Sequence, residues 1–129
     1  METMGKKVLV VEDDGMLRDL LVRHFKASFT VLAAEDGEQA LALAKQNYPD
    51  IILLDLLLPK VDGFQVLEQL PKEQRKYPVV ILTNFADEKS RERGRELSVD
   101  DYFIKKDMTI KSLLEMVERV HEQWKRLHP

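Results

Sequence analysis

Four short runs made almost wholly of apolar residues, VLVV at 8–11, TVLAA at 30–34, IILLD at 51–55 and VVILT at 79–83, alternate with longer stretches. In those stretches apolar residues recur every third or fourth position, the spacing of a helix face. Strands that are apolar along their whole length are buried on both faces, whereas strands of a one-sided sheet alternate. Burial on both faces requires helices above and below the sheet. The pattern therefore predicts an α/β domain with a doubly wound parallel sheet. A shorter run, YFI at 102–104, completes the alternation as a fifth strand. Right-handed crossovers send the C-terminal ends of all parallel strands to one edge, where such sheets bind ligands.

Capping residues mark where the helices begin. Asp14 precedes Leu17, Leu20, Leu21 and Phe25, which share one face, and its side chain suits an N-cap. DGEQ at 36–39 and DGFQ at 62–65 both set an aspartate three positions before a glutamine, the spacing of a capping box. Ala40, Leu41 and Ala44 continue the first of these helices, and Phe64, Leu67 and Leu70 the second, which Pro71 stops. The stretch from Asp87 to Leu97 has almost no apolar stripe and carries Gly94 inside it, at about 1 kcal/mol relative to alanine. It is expected to be the most weakly held helix. The last helix, 110–127, follows Thr109 as a cap and sets Leu113, Leu114, Val117, Val120 and Trp124 at core spacing.

At 129 residues and 44% hydrophobic, the chain suits one core, so a single domain over 1–129 is expected, with no room for a second. The 20 basic residues against 23 acidic ones give a formal charge of -3. Such a balance offers no general electrostatic grip on nucleic acid, and duplex DNA is not expected as a partner. Without cysteine there is no disulfide framework or thiolate site, and His24, His121 and His128 are too dispersed to form a metal centre. METMGKK leads straight into a strand-like run, shorter than the apolar region of a signal peptide or a membrane span. A cytoplasmic protein without membrane contact is expected.

The polar residues that end each strand form a pattern. Glu12, Asp13 and Asp14 follow the first strand, Asp55 ends the third, Thr83 the fourth and Lys105 the fifth. Gathered on one edge, the carboxylates repel one another, which raises their pKa values unless cationic charge is supplied. A lysine and a divalent cation supply it. Oxygen-only ligands suit a hard ion, and a small cluster with room for water and a phosphoryl oxygen suits Mg²⁺. A carboxylate beside that ion is a competent nucleophile toward phosphorus. A threonine hydroxyl and a lysine can stabilise the transferred group. Each residue has a bland reading alone: Asp14 as a helix cap, Thr83 as a β-branched strand residue, Lys105 as a solvated end. Jointly, Glu12, Asp13, Asp55, Thr83 and Lys105 outweigh those readings.

With these residues in place, VLVVEDD, DLLLPKVDG, ILTN and DDYFIKK resemble, in order and spacing, the signature blocks of the response-regulator receiver domain of two-component signalling. The resemblance covers about residues 6–127. It implies a flavodoxin-like, five-stranded parallel sheet of order 2-1-3-4-5 flanked by five helices. It also implies that Asp55 is the phosphoacceptor, served by a histidine kinase or histidine phosphotransfer protein in a Mg²⁺-dependent reaction. Glu12 and Asp13 match the acidic pair for the metal, with Asp13 and Asp55 the more direct ligands and Leu57 giving its backbone carbonyl. Thr83 and Lys105 match the switch hydroxyl and the phosphoryl-pairing lysine, and Tyr102 the aromatic ring that turns inward with the switch. The family's output surface implies a downstream protein target on the fourth helix, fifth strand and fifth helix of a monomer or weak dimer. Such a chain is a switch that assists its own phosphotransfer and slow dephosphorylation, not an enzyme. Two alternatives stand beside it. A metal-dependent phosphohydrolase would need a general acid two residues past Asp55, where Leu57 cannot serve, and a pseudo-receiver scaffold would not need the complete acidic and lysine set.

Three positions depart from the family pattern. Lys106 stands where a proline, often cis, usually follows the site lysine. A cis bond to a non-proline residue costs about 2.5–4 kcal/mol, so the loop either bears that cost or is built differently. Asn84 replaces a small residue and is expected to narrow access to the site. Ser98 replaces a glycine, so the fourth helix is expected to lack its preferred left-handed terminating residue.

Overall fold

The computed structural model describes residues 6–84 and 87–129. Its strands are β1 (Lys7–Val11), β2 (Thr30–Ala34), β3 (Ile51–Leu54), β4 (Val79–Thr83) and β5 (Asp101–Ile104). All pairings are parallel and the order is β2-β1-β3-β4-β5. The helices are α1 (Gly15–Phe25), α2 (Gly37–Asn47), α3 (Gly63–Glu68), α4 (Glu88–Glu96) and α5 (Ile110–Leu127), with single 3₁₀ turns at Lys72–Gln74 and Lys105–Asp107. β1 and β5 each begin one residue earlier than their apolar runs.

The uniformly apolar strands serve two cores at once. On one face Val8, Val10, Ile51, Leu53, Val80 and Leu82 pack with Leu21 and Phe25 of α1 and Leu113 and Val117 of α5. On the other, Leu9, Val11, Ile52, Leu54, Val79 and Ile81 pack with Ala40 and Ala44 of α2 and Val66 and Leu67 of α3. Successive side chains point to opposite faces, so a strand between two helical layers must be apolar at every position. Among the described residues no helix is long and apolar enough to cross a membrane.

The expected caps form, one of them modified. Asp14 accepts from the Met16 and Leu17 amides, and Asp62 and Gln65 form a reciprocal box. Asp36 accepts from Gln39 N–H, but the Gln39 side chain returns to the Glu35 amide at 3.0 Å rather than to Asp36. Thr109 caps α5 reciprocally with Ser112.

The fourth helix corrects one expectation. Ser98 does adopt the left-handed conformation, with φ 62°. The Val99 amide reaches back to the Gly94 carbonyl at 3.0 Å, and the Arg75 guanidinium donates to the Leu97 carbonyl at 2.6 Å. The helix end keeps its geometry, and serine bears about 1 kcal/mol of steric cost that glycine would avoid. The Lys105–Lys106 question is also resolved: there is no cis peptide bond among the described residues. Lys105 opens a 3₁₀ turn instead, closed by the Met108 amide on the Lys105 carbonyl at 3.1 Å.

Candidate functional site

Strand register builds the site. Val11 pairs with Leu54, so Glu12 and Asp55 leave the sheet side by side at the switch point between β1 and β3. Leu54 is level with Ile81, and Thr83 with Ile104, which brings Thr83 and Lys105 to the same edge. Gly63 lets the following loop close against the acceptor strand. A Cβ there would stand 2.6 Å from the Asp55 carbonyl oxygen and 2.8 Å from Leu56 Cα, an approach only glycine permits.

Asp55 is 4% exposed and Glu12 1%. Burial of two carboxylates demands partners, and Lys105 serves both. Its Nζ lies 2.8 Å from Asp55 Oδ2 and 2.7 Å from Glu12 Oε1. Leu57 N–H donates to Asp55 Oδ1 at 3.3 Å, and Asp14 N–H to Glu12 Oε2 at 3.0 Å. Burial, first, and the Asp55 charge, less strongly, push the Glu12 carboxyl up to about 7 against the opposing pull of Lys105 and the Asp14 amide. The sequence points to repulsion between carboxylates as the cause; the structure makes burial the larger one. For Lys105, burial disfavours the ammonium, but its hydrogen bond to Asp55 and the close negative charge of both carboxylates outweigh that and hold its pKa above the usual lysine value.

The residues fit a hard divalent cation. One carboxylate oxygen each from Glu12, Asp13 and Asp55 can be chosen within 4.8 Å of one another. Glu12 Oε1, although close to Lys105 Nζ, has no well-directed hydrogen bond and retains a lone pair to offer. These carboxylates border a cavity of about 330 Å³ shared with Leu57, Thr83 and Asn84. The donors are oxygen alone, as Mg²⁺ prefers.

The remaining expected residues divide. Thr83 is buried at the cavity wall, and Leu57 shows 59% of its surface at the mouth. Asn84 is exposed there. Asp14 also lines the cavity while acting as the α1 cap. Tyr102 is not at the cavity: its ring lies against α4, 5.3 Å from the Arg91 guanidinium carbon and near Gly94. Two neighbours escape the sequence reading. Arg18 folds back from α1 onto the Glu12 and Asp13 carbonyls. Gly37 packs so tightly that a Cβ would fall on the Val61 carbonyl, fixing the loop after β3 against α2. An arginine one turn into a helix ordinarily reads as solvated, so only the fold reveals the first.

Residues 8–118 match the response regulator receiver domain family. The chain is 41% identical over 103 residues to the alkaline phosphatase synthesis transcriptional regulatory protein PhoP of Bacillus subtilis, covering 79% of this chain and 43% of that protein. It is 35% identical over 121 residues to the probable transcriptional regulator ycf27 of Porphyridium aerugineum, covering 88% and 50%. A solved DNA-binding response regulator of the LuxR family from Staphylococcus aureus superposes with TM-score 0.83 at 28% identity, over 90% of this chain and 98% of that one. The chain belongs to the response regulator receiver domain family. Domains of this family are generally signalling switches.

The chain spans about half the length of these curated relatives. Their names correct the expectation that no direct nucleic-acid binding is involved: they are transcriptional regulators, and the solved relative is a DNA-binding one. A net charge of -3 describes the surface of these residues and does not limit what the regulators act on.

Proposed function

We propose that the domain is a phosphorylation-activated switch in which Asp55 accepts a phosphoryl group from a phosphohistidine on a histidine kinase or histidine phosphotransfer protein. The observation that carries this reading is the Lys105 ammonium between two buried carboxylates, 2.8 Å from Asp55 and 2.7 Å from Glu12, beside an open cavity. An Asp55 oxygen forms a bond to phosphorus as the bond from phosphorus to the histidine nitrogen breaks. The imidazole leaves with the electron pair and takes a proton from solvent. Lys105 pairs with one phosphoryl oxygen and the Thr83 hydroxyl donates to another, stabilising charge where it develops. Glu12, Asp13, Asp55 and the Leu57 carbonyl would hold Mg²⁺, which supplies neutralising charge for the dianionic group when bound. The Leu57 side chain cannot orient an attacking water, which favours a lasting adduct and slow self-dephosphorylation.

The new group adds about -1.5 to -2 of charge. It shifts the domain only if one of two conformations binds it better. Thr83 drawn toward the phosphoryl group, with Tyr102 following inward, supplies that difference, and α4 is the element that responds. Control of transcription is the output we assign, on the names of the relatives. Incubation with Mg²⁺ and either acetyl phosphate or a phosphorylated histidine donor, followed by intact mass, should give one phosphoryl adduct that Asp55→Asn abolishes. Continuous phosphate release, or no adduct from either donor, overturns the reading.

A further inference from the structure

Arg18 occupies an unusual place for a helix-surface cation. Its amide makes the first turn of α1 by donating to the Asp14 carbonyl at 2.8 Å. Its side chain turns back across the start of the helix and is only 21% exposed. Nη1 donates to the Glu12 carbonyl at 2.9 Å and, more weakly, toward the Asp13 carbonyl at 3.4 Å. Nη2 lies 3.7 Å from Glu35 Oε2 on the loop after β2. The planar fork thus joins two loops and grips the backbone of the acidic pair.

This grip falls where the sheet stops holding the chain. The Glu12 amide still donates to the Ala34 carbonyl at 3.0 Å, extending the ladder one residue past β1. The next residue, Asp13, is exposed, yet its carboxylate is one of the three gathered at the cavity. An exposed carboxylate beyond the end of the sheet ladder loses rotamer and backbone freedom when it binds a cation, which weakens binding. Fixing the peptide planes on either side of Asp13 removes part of that loss beforehand. Arginine suits the task because its donors are set in a rigid fork, whereas lysine presents a single flexible point charge.

We propose that Arg18 is a positioning residue of the cation site: through the Glu12 and Asp13 carbonyls it holds the Asp13 carboxylate in register with Glu12 and Asp55. The inference rests on the reading of these carboxylates as a Mg²⁺ site. Residues one shell behind a metal ligand typically change affinity 10–100-fold. A grip on the backbone belongs at the low end, so Arg18→Ala should bind Mg²⁺ roughly tenfold more weakly.

The test is a Mg²⁺ titration of the unphosphorylated full chain followed by amide NMR, with thermal unfolding measured alongside. Arg18→Ala should shift the midpoint while the spectrum at saturation returns to that of the parent. Labelling by acetyl phosphate should be slow at low Mg²⁺ and recover when Mg²⁺ saturates. Arg18→Lys, which also serves if the alanine variant fails to fold, should recover only part of the affinity. Unchanged affinity in a destabilised Arg18→Ala means a merely structural role and overturns the proposal. Full recovery by Arg18→Lys assigns the effect to charge and overturns it too. A parent protein whose pocket resonances ignore Mg²⁺ overturns the metal reading itself, a result distinct from equal binding by parent and variant.

Discussion

Helices α5 and α4 are held to the rest of the domain by different forces. α5 buries Leu113, Met116, Val117 and Val120 as an apolar stripe in one core with residues of β1, β3 and β4, and buries His121 as well. α4 buries only Gly94. Cationic side chains tie α4 to its surroundings instead: Arg93 lies 4.9 Å from the Phe64 ring and 2.6 Å from Glu68, and Arg91 lies over Tyr102. Apolar burial contributes kilocalories and tolerates little displacement. Exposed ion pairs and cation–ring contacts contribute a few tenths to about 1 kcal/mol and can re-form elsewhere. The domain therefore concentrates its rigidity under α5 and leaves α4 able to move without unfolding the rest.

The largest expected effect tests the rigid side. Leu113→Ala should lower the unfolding free energy by about 3 kcal/mol in chemical denaturation, as a buried leucine with no room to collapse does. A loss below 1 kcal/mol, on the order of a surface change, would break the contrast. Acid should next weaken the same side. His121 is buried and its Nδ1 has no hydrogen-bond partner among the described residues. Burial lowers its pKa; Lys6 and Lys125 add to that effect, and Asp50 and Glu122 oppose it. The unfolded chain thus binds the proton more readily, and stability present above the ordinary histidine value of 6.5 is lost as pH falls through the folded pKa. Melting temperature against pH should show this limb, flattened in His121→Leu; the same limb in both proteins would assign it to other groups. Smallest is Arg93→Ala, expected to change global stability by less than about 1 kcal/mol while amide exchange in α4 accelerates. Equal acceleration throughout α5 would show that the two helices share one cooperative unit.

The contrast was partly legible beforehand. The α5 stripe and its Thr109 cap stand in the sequence, and so does the near absence of apolar residues from 87 to 97. The straps that replace them do not, because Arg93, Phe64 and Glu68 come from different elements. At the site, Glu12, Asp13, Asp55, Thr83 and Lys105 could be named from strand ends. Arg18 could not, since its partners are backbone carbonyls that carry no residue signature. Ser98 shows the opposite failure: a residue poorly suited to the left-handed region adopts it because the chain must still turn from α4 into β5.

Local pattern was enough to determine that this chain forms a doubly wound parallel sheet and that its chemistry lies at the strand C-termini, since burial periodicity and right-handed crossovers leave few other arrangements. Tertiary structure alone decided that one lysine bridges two buried carboxylates, that burial more than repulsion lifts Glu12, and that an arginine from α1 braces the acidic loop. Those properties depend on distances between groups far apart in the chain and on how much water is excluded around them. Sequence order does not encode either quantity at a single residue.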